Sequence, residues 1–282
     1  MNKKYSYLII LILTLSQSTF GKTITISGKV TDNKQPLQYV SIGIINNTIG
    51  TVSNKYGSFT LKLNEDQVSE NDTLRFSMIG YKSKSFSVLE IKNNLSLNVQ
   101  LSEKIETIPE AVITSKKLKV KKHGTTHYIL PLAVQLAMSE YPDQNLGSEI
   151  GRSFNINHQN TILKNFKFYI YANNYDTITF RINVYSVKNR RPFKNILSQN
   201  IFIEVSGRKT KWITVDLKPY NIHVDKDIIV SLEWVAKSKK GNTLIFPLAR
   251  PSTATHYYKY GSQNKWKRFE AMSSLMKLTL KY

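Results

Sequence analysis

The sequence predicts an all-β protein built from two sandwiches, and three observations carry that expectation. Apolar residues alternate with polar ones at period two through most of the chain, as half-buried strands require. Clusters of Asn, Asp, Ser and Gly interrupt the alternation at short intervals, the spacing of turns between short antiparallel strands. A run from Ser115 to His123, with five lysines between Lys116 and Lys122, separates two such stretches and reads as an extended or mobile connector. The expected organisation is a leader over residues 1–21, a first sandwich over 23–102, a basic linker over 103–122 and a second sandwich over 123–282.

Lys3 and Lys4, the apolar run from Tyr7 to Leu15, and Thr19-Phe20-Gly21 have the order of a secretory leader cleaved after Gly21. The unbroken apolar part, Leu8 to Leu13, falls well short of the roughly 20 residues that span a bilayer. An exported product, in the periplasm, at the outer-membrane surface or secreted, and peripheral to membrane at most, is therefore expected. The chain contains no cysteine, which excludes disulfides, thiolate metal sites and a Cys nucleophile.

In the first half, Ile24, Ile26 and Val30, then Val40, Ile42 and Ile44, then Phe59, Leu61 and Leu63, then Leu74, Phe76 and Met78, then Leu95 to Leu101 mark successive strands. Turn signals at Asp32-Asn33, Asn46-Asn47, Asn54 to Gly57, Asn64 to Asp72 and Asn93-Asn94 divide it into about seven strands. Gly57 is expected at positive φ. Gly28-x-Val30-x-Asp32, Pro36-Leu37, Val40-x-Ile42, Gly50-Thr51, Gly57-x-Phe59 and Ile79-Gly-Tyr81 resemble the carboxypeptidase regulatory-like domain, as found in envelope proteins of the Bacteroidota type. The resemblance implies a transthyretin-like seven-stranded sandwich that accompanies other domains and has no catalytic site of its own. Ile105 to Thr114 also resembles the stretch that follows this module in large TonB-dependent transporters, but the residues left cannot form such a barrel at about 10 residues per strand.

In the second half the alternation is clearest at Ile178, Phe180, Ile182 and Val184, with Arg181, Asn183 and Tyr185 between, and at Ile228, Val230, Leu232 and Trp234, with Ser231 and Glu233 outward. Further strands are expected over 148–156, 162–171, 196–204, 211–217, 243–248, 255–260 and 274–280, a jelly-roll-like sandwich. Residues 131–140 fit a helix and a strand equally well. Trp212 and Trp234 read as core. This half resembles uncharacterised exported sandwich domains only in pattern.

No complete catalytic set is visible. His123 and His127 stand at zinc-protease spacing without the intervening glutamate, and no catalytic or structural metal and no cofactor is expected. Glu204, Asp216 and Glu233 lie in or beside strands, where outward carboxylates pair with neighbouring Lys or Arg more often than they hydrolyse glycosides. Asp225 and Asp227 lack the further oxygens a calcium ion needs. The chain is strongly basic, with 40 Lys and Arg against 19 Asp and Glu, and residues 123–282 carry most of the excess. Basic loops containing Arg190, Arg191, Arg208, Lys239 and Lys240, with an aromatic platform of Tyr258, Tyr260 and Trp266, form the candidate binding surface. The function expected is non-enzymatic binding or scaffolding at the envelope. Its partners would be an anionic glycan or lipopolysaccharide, or an outer-membrane protein, and no specific nucleic acid. The alternative is a hydrolase of envelope glycans or peptides with a hidden site.

Overall fold

A computed structural model describes residues 23–33, 35–104, 119–125, 132–137 and 145–282. The leader, the segment 105–118 with most of the linker, and His127 lie outside the described residues.

The first sandwich closes two sheets on one apolar core. In one sheet β1 (Thr23–Asp32) pairs with an antiparallel strand, Ser58–Asn64, and a parallel one, Ser96–Gln100. In the other, Ser41–Ile44 sits between Gly50–Val52 and Thr73–Ser77, with Lys84–Ser87 at the edge. The alternating residues fill the space between, and Phe59, Phe76 and Phe86 meet edge to face. One short helix, α1 (Val88–Lys92), is unanticipated by the alternation; Ser87 and Glu90 form a capping box at its start.

The family motifs have mechanical roles here. Tyr81 donates to the Asp32 carboxylate at 2.9 Å, tying the Ile79-Gly-Tyr81 turn to the end of β1. Burial and that carboxylate push the Tyr81 phenol up to about 12. Gly57 takes φ of 75°, as expected, and a Cβ there would press on the Val30 carbonyl.

The second sandwich packs a long sheet against a shorter one, all antiparallel. The long sheet contains β2 (Glu149–Phe154), β3 (Thr177–Lys188), β4 (Arg191–Asn195), β5 (Ile201–Ser206), β6 (Ile228–Lys237) and β7 (His256–Lys259). Its central order is β3, β6, β2, β7, with β4 and β5 both flanking β3. The opposing sheet is Trp212–Asp216, Thr161–Tyr169, Met276–Lys281 and Val120–Gly124 in that order. Ile150, Phe180, Leu232 and Trp234 from the first sheet meet Phe166, Phe168 and Leu278 from the second in one dry core.

Two expectations need correction, and one open alternative is decided. Val120–Gly124 is a strand paired with Met276–Lys281, so the end of the expected linker belongs to the second sandwich; backbone pairing overrides its lysine-rich composition. Of the ambiguous stretch, Ala133–Gln135 is a strand, because Val134 and its neighbours pair with Ile245 to Pro247. Trp234 is core, whereas Trp212 is only half-buried on the outer face of the second sheet, beside Tyr169.

Candidate functional site: a cleft between the two sandwiches

The long sheet buries both of its faces. Ile178, Phe180 and Ile182 point into the core, so Arg181, Asn183 and Tyr185 must point the other way, together with Ser231 and Glu233 on β6 and Glu149 and Lys259 on β2 and β7. The first sandwich covers much of that polar face. Gly43 and Gly50 allow the approach: a Cβ at Gly50 would stand 2.7 Å from Ser262 Oγ, which donates to the Ile42 carbonyl. Gln263 Nε2 donates to Ser77 Oγ at 2.8 Å, and the Asn46 amide donates to the Gln263 carbonyl at 3.0 Å.

Beneath this contact lies a buried ionic network. Arg181 grips Glu233 with two bonds, Nε to Oε2 at 2.9 Å and Nη2 to Oε1 at 2.8 Å. Ser41, from the first sandwich, donates to Glu233 Oε1 at 2.7 Å and accepts from Arg181 Nη2 at 2.7 Å. Arg181 Nη1 reaches the Tyr39 carbonyl at 3.0 Å. Glu149, directly opposite Glu233 in register, accepts from Asn183 at 2.8 Å, from Tyr185 at 3.0 Å and from Ser231, and Lys259 Nζ lies 2.7 Å from it. The two carboxylates and two cations cancel in charge. Burial alone would raise the Glu233 pKa, but the Arg181 charge and bonds, then Lys259 and Asn183, outweigh it and hold the group well below the usual carboxylate range. Burial likewise opposes the charge on Arg181, and Glu233 overcomes it to raise the guanidinium's pKa.

Above the network an open cleft of about 530 Å³ remains between the sandwiches, within the range of small-ligand sites. Arg75 comes from the first sandwich, Lys104, whose amide donates to the Gly80 carbonyl, from the start of the linker, and Lys194 and Lys259 from the second sandwich. Aromatic surface is supplied by Trp266, Tyr185 and Phe193, the last 63% exposed. Trp266 stands edge to face with Tyr185 at 5.7 Å, and Lys259 Nζ lies 5.1 Å from its ring centre. Asn46, Asn195, Gln263 and Asn264 line the remainder with amides.

The expected binding surface does not assemble as one patch. Arg190 and Arg191 close a tight hairpin turn beside Trp266; Arg190 pairs with Glu270 at 2.6 Å and Arg191 donates to the Trp266 carbonyl at 2.6 Å. Arg208 pairs with Asp176 at 3.2 Å beside the turn that carries the exposed Lys239 and Lys240. The two groups sit at opposite ends of the twelve-residue β3, some 35–40 Å apart for an extended strand. Tyr258 and Trp266 fall on opposite faces. Tyr258 pairs with Ile150 and packs on the core, and Tyr260 stands 6.5 Å from it and donates to Asn145 at 2.8 Å. Trp266 alone of the three lines the cleft.

Other candidates have structural partners. Asp225 and Asp227 accept from the amides of Asn160 and Ile156 at 2.6 and 2.8 Å. Among the described residues no group of three or more His, Asp or Glu is placed to hold a metal ion. Glu149, Lys259 and Arg75 carried no signal in the sequence, whereas Arg181, Asn183 and Glu233 did, through their shared face.

Residues 26–113 match the CarboxypepD_reg-like domain family, to which the first sandwich belongs. The chain is also similar, distantly, to several solved structures. One is Cwp84 of Clostridium difficile, in a structure of its cysteine protease and lectin-like domains, at 10% identity and a TM-score of 0.39, covering 93% of this chain and 58% of that one. Another is the same clostridial protease after propeptide cleavage, at 13% identity and a TM-score of 0.39, with 93% and 66% covered. A third is a DUF3823 family protein from Parabacteroides merdae, at 9% identity and a TM-score of 0.21, with 90% and 98% covered. The chain thus spans about three-fifths to two-thirds of the protease structures, and no chemistry is carried over from them. No curated protein matches the sequence.

Proposed function

We propose that this chain is an exported, non-catalytic binding or scaffolding protein of the cell envelope that holds an anionic glycan in the cleft between its two sandwiches. The observation that carries the reading is the charge of the cleft. Among the described residues, Arg75, Lys104, Arg181, Lys194 and Lys259 line it against a single carboxylate, Glu233, so basic side chains outnumber acidic ones along the wall. Amides and exposed aromatic rings side by side suit hydroxyl-bearing rings, which present both polar edges and apolar faces. The leader-like start and the regulatory-like module favour an envelope setting.

The hydrolase reading has one feature in its favour, since Glu149 and Glu233 are neighbours beneath a cleft. Both are fully engaged, however, and a general acid needs a raised pKa, the reverse of what Arg181 imposes on Glu233.

Calorimetric titration with acidic and neutral oligosaccharides tests the proposal. Acidic oligosaccharides are expected to bind in a salt-sensitive manner, Arg75→Glu with Lys194→Glu to weaken them at least about tenfold, and the sugars to be recovered uncleaved. Equal binding by that variant, or release of shorter sugars, overturns it.

A further inference from the structure

The outer face of the shorter sheet carries a second feature, independent of the cleft. Phe166, Phe168, Leu278 and Leu280 point into the core, so Lys167, Tyr169, Lys277 and Lys281 point outward. Register places Lys167 opposite Lys277, and Lys122 opposite Thr279, one step along the same face. At the edge strand, Trp212 lies opposite Tyr169 with the rings 5.5 Å apart, and Lys277 Nζ stands 4.3 Å from the Trp212 ring centre. On the other edge strand Val120 is 64% exposed, opposite Lys281.

Like charges set opposite one another on a rigid sheet repel, and among the described residues no carboxylate forms an ion pair with these lysines. Asp216, on the same face, lies 3.6 Å from Lys218. Partial burial, then the positive charges of Lys167 and Lys122, lower the pKa of Lys277. The missing counterpart is anionic. A flat sheet face matches an extended surface better than a single small molecule, and half-buried Trp with exposed Val at its borders suits the boundary between water and hydrocarbon.

We propose that this face docks on an anionic lipid bilayer, with Lys122, Lys167, Lys277 and Lys281 against headgroup phosphates and Trp212 and Val120 entering at the two edges. The core separates this face from the sheet that floors the cleft, so a docked molecule holds its cleft away from the membrane.

The test is co-sedimentation of the full chain, leader removed, with vesicles of phosphatidylcholine alone or mixed with phosphatidylglycerol at about 7:3. Near such a surface each lysine is worth about fivefold in affinity, so Lys167→Glu with Lys277→Glu should weaken binding at least about 25-fold. Lys239→Glu with Lys240→Glu, at the end of the sandwich, should change it by less than about fivefold. Trp212 emission should shift to the blue on anionic vesicles, read in Trp234→Phe and Trp266→Phe backgrounds that keep their melting transitions. The milder Lys167→Gln with Lys277→Gln gives the same reading should the charge reversal fail to fold. Equal binding to neutral vesicles, no binding to either, or insensitivity to the sheet lysines overturns the proposal, as does release of the protein by acidic oligosaccharide competing for this face. Because cleft variants such as Arg75→Glu are expected to leave vesicle binding intact, failure here is separable from failure of the cleft reading.

Discussion

The two faces of the long sheet are both buried, yet they are sealed by opposite means. On one, Phe180, Leu232 and Trp234 interdigitate with the second sheet and need only shape and dryness. On the other, Arg181, Glu233, Glu149 and Lys259 are fully paired beneath the first sandwich. The apolar face would be content with many partners of suitable volume, whereas the ionic face accepts only a partner that brings a hydroxyl to the place of Ser41 and a carbonyl to that of Tyr39. Hydrophobic burial holds the sandwich together; the ionic face selects what docks on it.

That contrast can be broken most forcefully at its centre. Glu233→Ala leaves Arg181 buried without its counter-charge and should cost about 3–5 kcal/mol in denaturant unfolding. Phe180→Ala should cost a similar 3–5 kcal/mol through its cavity. The two differ in rescue: replacing Arg181 and Glu233 together by Met and Leu should restore more than half of the first loss, while no single change elsewhere restores the second. Failure of the double variant to recover would mean that the ionic face supplies stability as well as selectivity.

Acid should sharpen the contrast at intermediate scale. His256, buried against Ser274 on the apolar side of β7, is held by burial at a pKa of about 4, against about 6.5 in an unfolded chain. Between those values the unfolded chain binds more protons, so this contribution is intact above pH 6.5 and is lost as pH falls toward 4, by roughly 3 kcal/mol. Glu233, with its pKa depressed, adds a loss that begins only below the ordinary carboxylate value. Melting temperatures at pH 7 and pH 5 should therefore fall steeply in the native chain and less in His256→Asn; an unchanged slope in that variant would reassign the acid sensitivity to the carboxylates.

Smaller effects follow at the seam and at the ends. Ser41→Ala should cost about 1–2 kcal/mol and raise amide exchange on both sides of the interface, since Glu233 and Arg181 each lose a bond. Should exchange rise in the first sandwich alone, the seam couples less to the long sheet than its hydrogen bonds indicate. Lys239→Glu with Lys240→Glu, in an exposed turn, should move stability by no more than about 0.5 kcal/mol for each change.

Much of the β-architecture was legible in the chain because side-chain direction in a strand repeats every two residues. Ile178 to Val184 and Ile228 to Trp234 announce their inward faces, and Arg181 and Glu233 necessarily share the other. Turn chemistry was equally local: Gly57 needs its positive φ whatever surrounds it. What the alternation labels outward, however, is only a direction. Whether Glu233 meets water or the first sandwich depends on Ser41, separated from it by 192 residues. The same distance blindness put Tyr258 and Trp266 on one imagined platform, when the step from Tyr258 to Lys259 turns the chain's side chains to the opposite face and Trp266 follows the latter. Lys122 reads as the end of a basic connector and Lys167 and Lys277 carry no signal in the sequence; only strand register makes them neighbours. Composition and period, being local, determined the strands and the basic charge; pairing across the sheets, a contest of burial and hydrogen bonding over long separations, decided which polar side chains stand together and what they exclude.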